Sequence, residues 1–413
     1  MSHPRGPDFQ ADLILVCGSL EAGGIARVVS TLANEWSRRG RKISVITLAD
    51  RPMFYALDAA VHHVAMEQGT PWLALPLRSG RACLTHLGRA RPFLIAVLGS
   101  PVYSLLANAV HRARLLGTLT LRAAALRRAL KRIESPIVVA FGTGFNVTTL
   151  KACRGLERRV VISERTDPAT WIDLWQELGR KYYKQAHLVT ANTQSALRDI
   201  GAFVGTDKLA FAPNPLRMAD GSDPNGKGPL PLSHSPAPLI LNVGQLVPEK
   251  AQEVLLEAFA LLGDDLCDWR LAVLGNGTLE EDLHSRAARL GIEERVDWHG
   301  VVADPYSFYR MASIFALPSR IEGTPNALLE AMSCGLPVVI SDGAPGPLEL
   351  IEDGQTGLVV PVNDPVALAA ALRRLAQDEP LRLRLGAAAR ERVTEYDVPL
   401  ALAKWESVVG LTC

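Results

Sequence analysis

Short apolar runs alternate with stretches of helical spacing along most of the chain. Leu13, Ile14, Leu15 and Val16 form an unbroken apolar run, the signature of a strand buried on both faces. Behind it, Ile25, Val28, Val29, Leu32 and Trp36 fall on one face of a helix predicted over residues 25–39, which Gly40 stops. Residues 42–48 are the next strand, 137–140 and 160–162 two more. A helix is predicted over 171–185, a strand over 187–191, a helix over 193–200 with Thr193 as its N-cap, and a strand over 208–211. A cleaner alternation begins at residue 239. Strands are predicted at 239–243, 270–274, 296–299, 314–317, 337–340 and 358–360. Between them lie helices marked by Val254, Leu255, Ala258, Phe259 and Leu262, then over 279–290, 305–312 and 326–334. Such alternation specifies parallel sheets with crossover helices. The fold class read from it is α/β, with two doubly wound Rossmann-like domains facing across a cleft. Residues 218–238, rich in Gly, Pro, Ser and Asp, are the expected linker.

Length supports this division, because 413 residues exceed one core of ordinary size. An apolar content of 48% with 21% charged residues indicates a well-packed chain, and a net charge of +1 gives no general attraction to nucleic acid. The six cysteines are scattered, without CxxC or zinc spacing, which points to a reducing cytosol. Residues 1–10 are polar and are not read as a signal peptide.

One region departs from the even charge balance. Residues 68–133 contain no Asp or Glu and carry eleven basic residues: Arg78, Arg81, Arg89, Arg91, Arg112, Arg114, Arg122, Arg127, Arg128, Lys131 and Arg132. Residues 93–110 are uncharged, but Gly99, Ser100, Pro101, Ser104 and Asn108 lower their hydropathy and are expected to break a helix midway. The expectation is a broken helical pair lying on an anionic membrane surface, its arginines on headgroups. A buried helix pair with a solvated basic rim is the alternative.

Candidate chemistry gathers where parallel strands end, the edge at which open α/β sheets take ligands. Gly23 and Gly24 open the first helix with room for backbone to approach a phosphate, although GxGxxG is absent. Arg27 lies in that helix's first turn. Glu164 and Arg165 follow the strand at 160–162. Gln245 and Lys250 follow the strand at 239–243, and Gly275, Asn276 and Gly277 the next one. Singly, each has an ordinary reading: a tight turn, a structural ion pair, a surface lysine. The densest stretch is Glu322, Gly323, Thr324, Pro325, Asn326 and, further on, Glu330. Gly-Thr-Pro is a turn and helix-start signal, so Glu322 belongs to the loop and Glu330 to the helix, roughly 12 Å apart at ~1.5 Å per residue. The helix N-terminus between two carboxylates suits a ligand with phosphate in its middle and hydroxyls at both ends, as in a nucleotide sugar.

Taken together these residues resemble glycosyltransferase family 4, retaining enzymes of the GT-B fold that use nucleotide-activated sugars. The likeness covers nearly the whole chain and is densest over 239–361. The family's E-x7-E matches Glu322 and Glu330, its glycine-rich first loop Gly23 and Gly24, and its diphosphate lysine Lys250. Pro213, Asn214 and Pro215 ahead of the linker are also typical. Residues 23–27 and 163–168 look like the branch that extends bacterial lipid-linked oligosaccharides and surface polysaccharides. The resemblance implies transfer of a hexose or N-acetylhexosamine from a nucleotide diphosphate sugar, UDP favoured, to a lipid-linked or polysaccharide acceptor on the inner face of the cytoplasmic membrane. Glu322, Lys250 and Glu164 are expected to be catalytic. Gly23, Gly24, Arg27, Arg165, Gln245, Gly275, Asn276, Gly277, Gly323, Thr324, Pro325, Asn326 and Glu330 are expected to bind substrate. No cofactor or metal is expected, since D-x-D is absent and the nucleotide sugar is a co-substrate. Two positions depart from the family pattern: Gln245 stands where an arginine is usual, and Ala251 where glycine is. The expected organisation is an acceptor domain over 1–217 with the basic apolar insertion 68–133, a linker over 218–238, a nucleotide-sugar domain over 239–395, and a C-terminal helix over 396–413 packing back on the first domain. Alternatives are another sugar-nucleotide enzyme such as an epimerase or phosphorylase, a two-domain nicotinamide oxidoreductase, and a non-catalytic sugar-binding protein.

Overall fold

The computed structural model describes residues 9–66, 100–219 and 238–411. The chain divides into two compact units. Residues up to Glu164, with Trp171–Thr190 and Gly201–Leu209, form the first, and Arg165–Thr170, Ala191–Ile200 and Ala210 onward form the second.

The first unit is built on a seven-stranded sheet in the spatial order His62–Ala65, Ile43–Thr47, Leu13–Cys17, Ile137–Phe141, Arg159–Glu164, Leu188–Ala191, Leu209–Phe211. Leu13–Cys17 sits between two parallel neighbours, Leu13 opposite both Ile43 and Ile137, and all five of its residues are buried. That burial is why the sequence shows a continuous apolar run there and not an alternation. Strand order reverses between Leu13–Cys17 and Ile137–Phe141, so the loops after these two strands leave from the sheet's switch point. His62–Ala65 was not foreseen. It is an edge strand, half-buried, and its two histidines carry no apolar signal.

The second unit holds a six-stranded parallel sheet in the order Val296–Gly300, Arg270–Leu274, Leu239–Val243, Ile314–Leu317, Val338–Ser341, Leu358–Val360. Here the switch point lies between Leu239–Val243 and Ile314–Leu317. The loop carrying Lys250 follows the first of these strands and the loop carrying Glu322 follows the second. Core residues such as Ile240, Leu255, Phe259 and Leu372 pack one layer, and Leu241, Phe315, Leu328 and Met332 another.

The division is finer than one cut at a linker. Arg165–Thr170 and Ala191–Ile200 count with the second unit, and so does the C-terminal helix Val398–Val409. Its Trp405 is fully buried and donates its indole N–H to the Pro213 carbonyl at 2.9 Å. Residues 220–237 of the expected linker lie outside the described residues.

Of the expected broken helical pair, only the part from Ser100 onward lies within the described residues. Ser100–Arg132 is one helix of 33 residues, and Ser100 and Pro101 open it, where proline's missing N–H costs no helical bond. Arg78, Arg81, Arg89 and Arg91 lie outside the described residues. Leu115, Leu119, Ala123, Leu126 and Leu130 are buried at helical spacing, and the helix packs on Thr143–Cys153. Its basic residues divide in two. Arg122 is buried, which pushes its pKa down, and Arg127 donates to the Ala152 and Arg154 carbonyls at 2.8 and 2.7 Å, closing the C-terminal end of Thr143–Cys153. Arg114, Arg128 and Lys131 are exposed, with Leu116 and Leu121 exposed among them. Among the described residues no helix is long and apolar enough to cross a membrane.

Candidate active site

In the second unit, the chain leaves Ile314–Leu317 into a loop braced from three sides. Ser341 donates its hydroxyl to the Ser319 carbonyl at 2.6 Å, and the Arg320 N–H reaches the Glu249 carbonyl at 2.8 Å. The Arg320 guanidinium donates to the Pro248 carbonyl, Glu253 and Asn363. Held this way, Glu322 is 8% exposed, and its Oε1 accepts from Lys250 Nζ at 2.5 Å and from the Ser319 hydroxyl at 3.0 Å. The two residues that the resemblance makes catalytic in this unit are therefore in direct contact.

The chain then turns through Gly323, Thr324 and Pro325 into the helix Asn326–Ser333. Pro325 is the N-cap, and a proline has no side-chain acceptor to offer the first-turn N–H groups. Those donors, at the positive end of the helix, are suited to an anion. Glu330 follows on the same helix and is 3% exposed. Gly323 is required by close packing: a Cβ there would stand 2.7 Å from the Arg165 carbonyl oxygen.

Lys250 ends a short 3-10 turn, Pro248–Lys250, that leads into the helix Gln252–Ala260. Between them Ala251 has φ 52° and ψ 36°, left-handed backbone that suits glycine best. The present chain fills this position with a buried alanine. The Gln245 side chain is exposed while its carbonyl accepts from Gln252 Nε2 at 3.0 Å. Gly275 and Gly277 are explained by packing against this loop. A Cβ on them would stand 1.9 and 2.2 Å from the Gly244 and Leu246 carbonyl oxygens, and the exposed Asn276 accepts from the Leu246 N–H through its carbonyl.

In the first unit, the loop from Gly18 to Gly23 leaves the switch point and opens the helix Gly24–Arg38. Gly23 has φ 168°, extended backbone that any residue adopts, and a Cβ there would meet nothing within 4 Å. Nothing in the chain itself accounts for a glycine at this position. Arg27 is half-buried, its guanidinium 6.0 Å from the Tyr55 ring centroid.

Glu164 and Arg165 are both buried among protein partners. Glu164 is fully buried and accepts from the Thr143 hydroxyl at 3.0 Å and from the Tyr183 hydroxyl at 2.7 Å. Burial first, and the Glu164 charge second, push the Tyr183 pKa well above its ordinary value, so the phenol stays a donor. A carboxylate enclosed in this way braces the turn at Gly142 and Thr143. Arg165 is also buried, with Nη1 on the Ala212 carbonyl and Asn214 Oδ1. The residues that sequence reasoning passed over are Asn192, Asn214, Ser319, Glu253 and Trp405. Only Asn214 carried a signal, as the centre of the Pro213–Pro215 triplet.

Comparisons with known proteins bear on the family and the fold. The family model described as Glycosyl transferases group 1 matches residues 231–392. A Campylobacter jejuni enzyme, GalNAc-alpha-(1->4)-GalNAc-alpha-(1->3)-diNAcBac-PP-undecaprenol alpha-1,4-N-acetyl-D-galactosaminyltransferase, is 25% identical over 96% of this chain and 97% of its own length. A GDP-mannose-dependent alpha-(1-6)-phosphatidylinositol monomannoside mannosyltransferase of Mycolicibacterium smegmatis is 32% identical over 51% of this chain and 55% of its own. Among solved structures, Anabaena Alr3699/HepE in complex with UDP and glucose superposes with a TM-score of 0.72 at 17% identity, covering 97% of this chain and 100% of that one. Sucrose-phosphate synthase from Thermosynechococcus elongatus superposes with a TM-score of 0.74 at 16% identity, over 98% of this chain and 99% of that one.

Proposed function

The chain belongs to the group 1, family 4 glycosyltransferases of the GT-B fold, and from that premise we propose that it transfers a hexose or N-acetylhexosamine, with retention, from a UDP-sugar to a lipid-linked or polysaccharide acceptor at a membrane surface. The observation that carries this reading is the contact of Lys250 with Glu322 beside a helix whose N-cap, Pro325, offers no side-chain acceptor and which buries Glu330 one turn in. Names of relatives support the acceptor class, since the Campylobacter enzyme acts on an undecaprenol-linked saccharide, and UDP in Alr3699/HepE supports the donor.

In this reading the first-turn amides at Asn326 and beyond hold the diphosphate with Lys250. An ammonium has three N–H donors, so Lys250 keeps Glu322 while meeting a phosphate oxygen. The bond from the anomeric carbon to the phosphate oxygen breaks, and its electron pair goes to the departing diphosphate. The acceptor oxygen bonds to the anomeric carbon from the same face, and its proton passes to that phosphate. Donors already fixed around the diphosphate stabilise the growing charge without reorganising. Glu330 accepts from the ribose hydroxyls, and Glu322 from sugar hydroxyls. Gln245 adds no charge at the diphosphate, so Lys250 and the helix end carry that role without metal.

The test is a transfer assay with UDP-hexoses and UDP-N-acetylhexosamines against an undecaprenyl-diphosphate-linked saccharide, run in EDTA and again with magnesium. Acceptor-dependent release of UDP at equal rates in both supports the proposal. Release that ignores the acceptor, or that EDTA abolishes and magnesium restores, overturns it.

Two further outcomes follow from this reading. Gly23→Ala should fold with an unchanged unfolding midpoint, because its backbone is extended and the methyl meets open space. It should nonetheless lower transfer about tenfold or more by filling room meant for substrate, a misplacement of the kind that costs ~10²-fold when reacting groups shift by an ångström. Replacing the exposed Arg114, Arg128 and Lys131 with glutamine should weaken binding to phosphatidylglycerol vesicles about 100-fold at low salt, at about 1 kcal/mol per basic residue near the surface. Sedimentation with vesicles measures it, and unchanged binding with an unchanged salt dependence would remove the membrane surface from the proposal.

A further inference from the structure

The turn that opens the Asn326–Ser333 helix is held from behind by a buried polar chain. Asn214, 3% exposed, donates through Nδ2 to the Thr324 carbonyl at 3.0 Å and to Asn326 Oδ1 at 2.7 Å. Its Oδ1 accepts from Arg165 Nη1 at 2.8 Å and lies 3.4 Å from Asn192 Nδ2. Thr324 returns the contact, its hydroxyl donating to the Asn192 carbonyl at 2.5 Å. Behind Arg165 stands Trp405, its ring centroid 5.0 Å from the guanidinium carbon and its N–H on the Pro213 carbonyl. All of these residues belong to the second unit.

The chemistry of this chain has a direction. A guanidinium only donates, whereas a carboxamide offers an oxygen at one end and an NH₂ at the other. Arg165 therefore dictates which way Asn214 faces: oxygen toward the cation, NH₂ toward Thr324 and Asn326. Asn214 in turn dictates Asn326, whose oxygen faces Asn214 and whose own NH₂ is thereby turned to the opposite side. Asn326 is the first residue of the helix. We propose that Arg165 is a positioning residue that acts through Asn214 to set the orientation of the Asn326 amide and of the Gly323–Asn326 turn, so that the helix end presents donors to the diphosphate of a nucleotide sugar. The proposal rests on the reading of this turn as the donor site. It gives a task to a buried cation from a segment, Arg165–Thr170, that precedes the helix by some 160 positions in sequence. It also accounts for Gly323, where any side chain would push the turn off the Arg165 carbonyl.

The experiment is calorimetric titration of UDP into the full chain, at a temperature below the unfolding midpoint of every variant. Glu330→Gln is the control for the donor site and should weaken UDP about tenfold or more. Asn214→Asp keeps the bond from Arg165 but sets an acceptor against the Thr324 carbonyl and forces Asn326 to turn. Arg165→Met removes the group that dictates orientation. Each should weaken UDP about tenfold. The double variant Arg165→Met/Asn214→Asp should recover to within about threefold of the natural chain. A buried carboxyl without its cation favours the neutral form, whose one O–H can again be donated to Asn326 Oδ1, the shorter of the two lost bonds. A purely structural pair would instead lose binding additively, about 100-fold in the double variant, and that result overturns the relay. UDP binding unchanged in both single variants while Glu330→Gln is impaired also overturns it, leaving the donor site intact. Unchanged binding in Glu330→Gln overturns the donor site and the relay together. If a single variant does not fold, Trp405→Phe carries the test by removing the N–H to Pro213 and part of the ring beside Arg165. About threefold weaker UDP binding supports the proposal, and unchanged binding counts against it.

Discussion

Lys250→Met is expected to lower acceptor-dependent transfer at least 100-fold, and Glu322→Gln to do the same, because each removes a fixed partner of the reacting region worth ~3 kcal/mol. Stability separates function from packing. Glu322 is 8% exposed with Lys250 on one oxygen, so removing the lysine alone leaves a largely buried carboxylate short of its cation. That should cost about 1–3 kcal/mol of unfolding free energy, the desolvation penalty of a stranded polar group. In Lys250→Met/Glu322→Gln neither charge remains, and stability should return to within ~1 kcal/mol of the natural chain, as replacement of a whole buried pair is close to neutral. Transfer should stay at least 100-fold down. Denaturant unfolding and the transfer assay together check both arms. A double variant that transfers within fivefold of the natural chain would show that the pair serves packing alone.

Glu330→Gln should separate donor affinity from chemistry. Two hydroxyl donors on a carboxylate contribute ~1.5–3 kcal/mol each, and a neutral amide retains part of this, so UDP affinity should fall roughly 10–100-fold. Glu322→Gln should leave UDP affinity within about threefold, since UDP lacks the sugar that Glu322 is proposed to meet. Calorimetry on the two variants decides the division of roles. Equal losses in both would mean that one carboxylate does not serve the ribose and the other the sugar.

Much of this arrangement was legible in the chain. Continuous apolar runs at 13–17 and 314–317, and a run at 239–243 broken by Asn242, marked buried parallel strands, and the structure has each of them inside its sheet, away from the edges. Edge positions were less legible, as at His62–Ala65, because a half-buried strand needs no apolar run. The helix at Asn326 was readable from Pro325 and a run of helix formers, since both signals are local. Ala251 shows the converse: the sequence marks a departure from the family pattern, but only the left-handed backbone explains what that position demands.

The amino-acid sequence by itself determined two parallel-sheet units, the strand ends from which Lys250 and Glu322 issue, and a helix with Glu330 one turn beyond its start. Periodicity, turn chemistry and capping act over a few residues, and a chain displays them without folding. Tertiary structure alone decided that Lys250 touches Glu322, that Glu164 is enclosed by Thr143 and Tyr183, and that Arg165 reaches Asn214. These pairs are separated by 72, 21, 19 and 49 positions. Whether a buried charge acts on substrate or holds the group that does depends on which polar atoms close around it, and packing across the fold chooses those atoms.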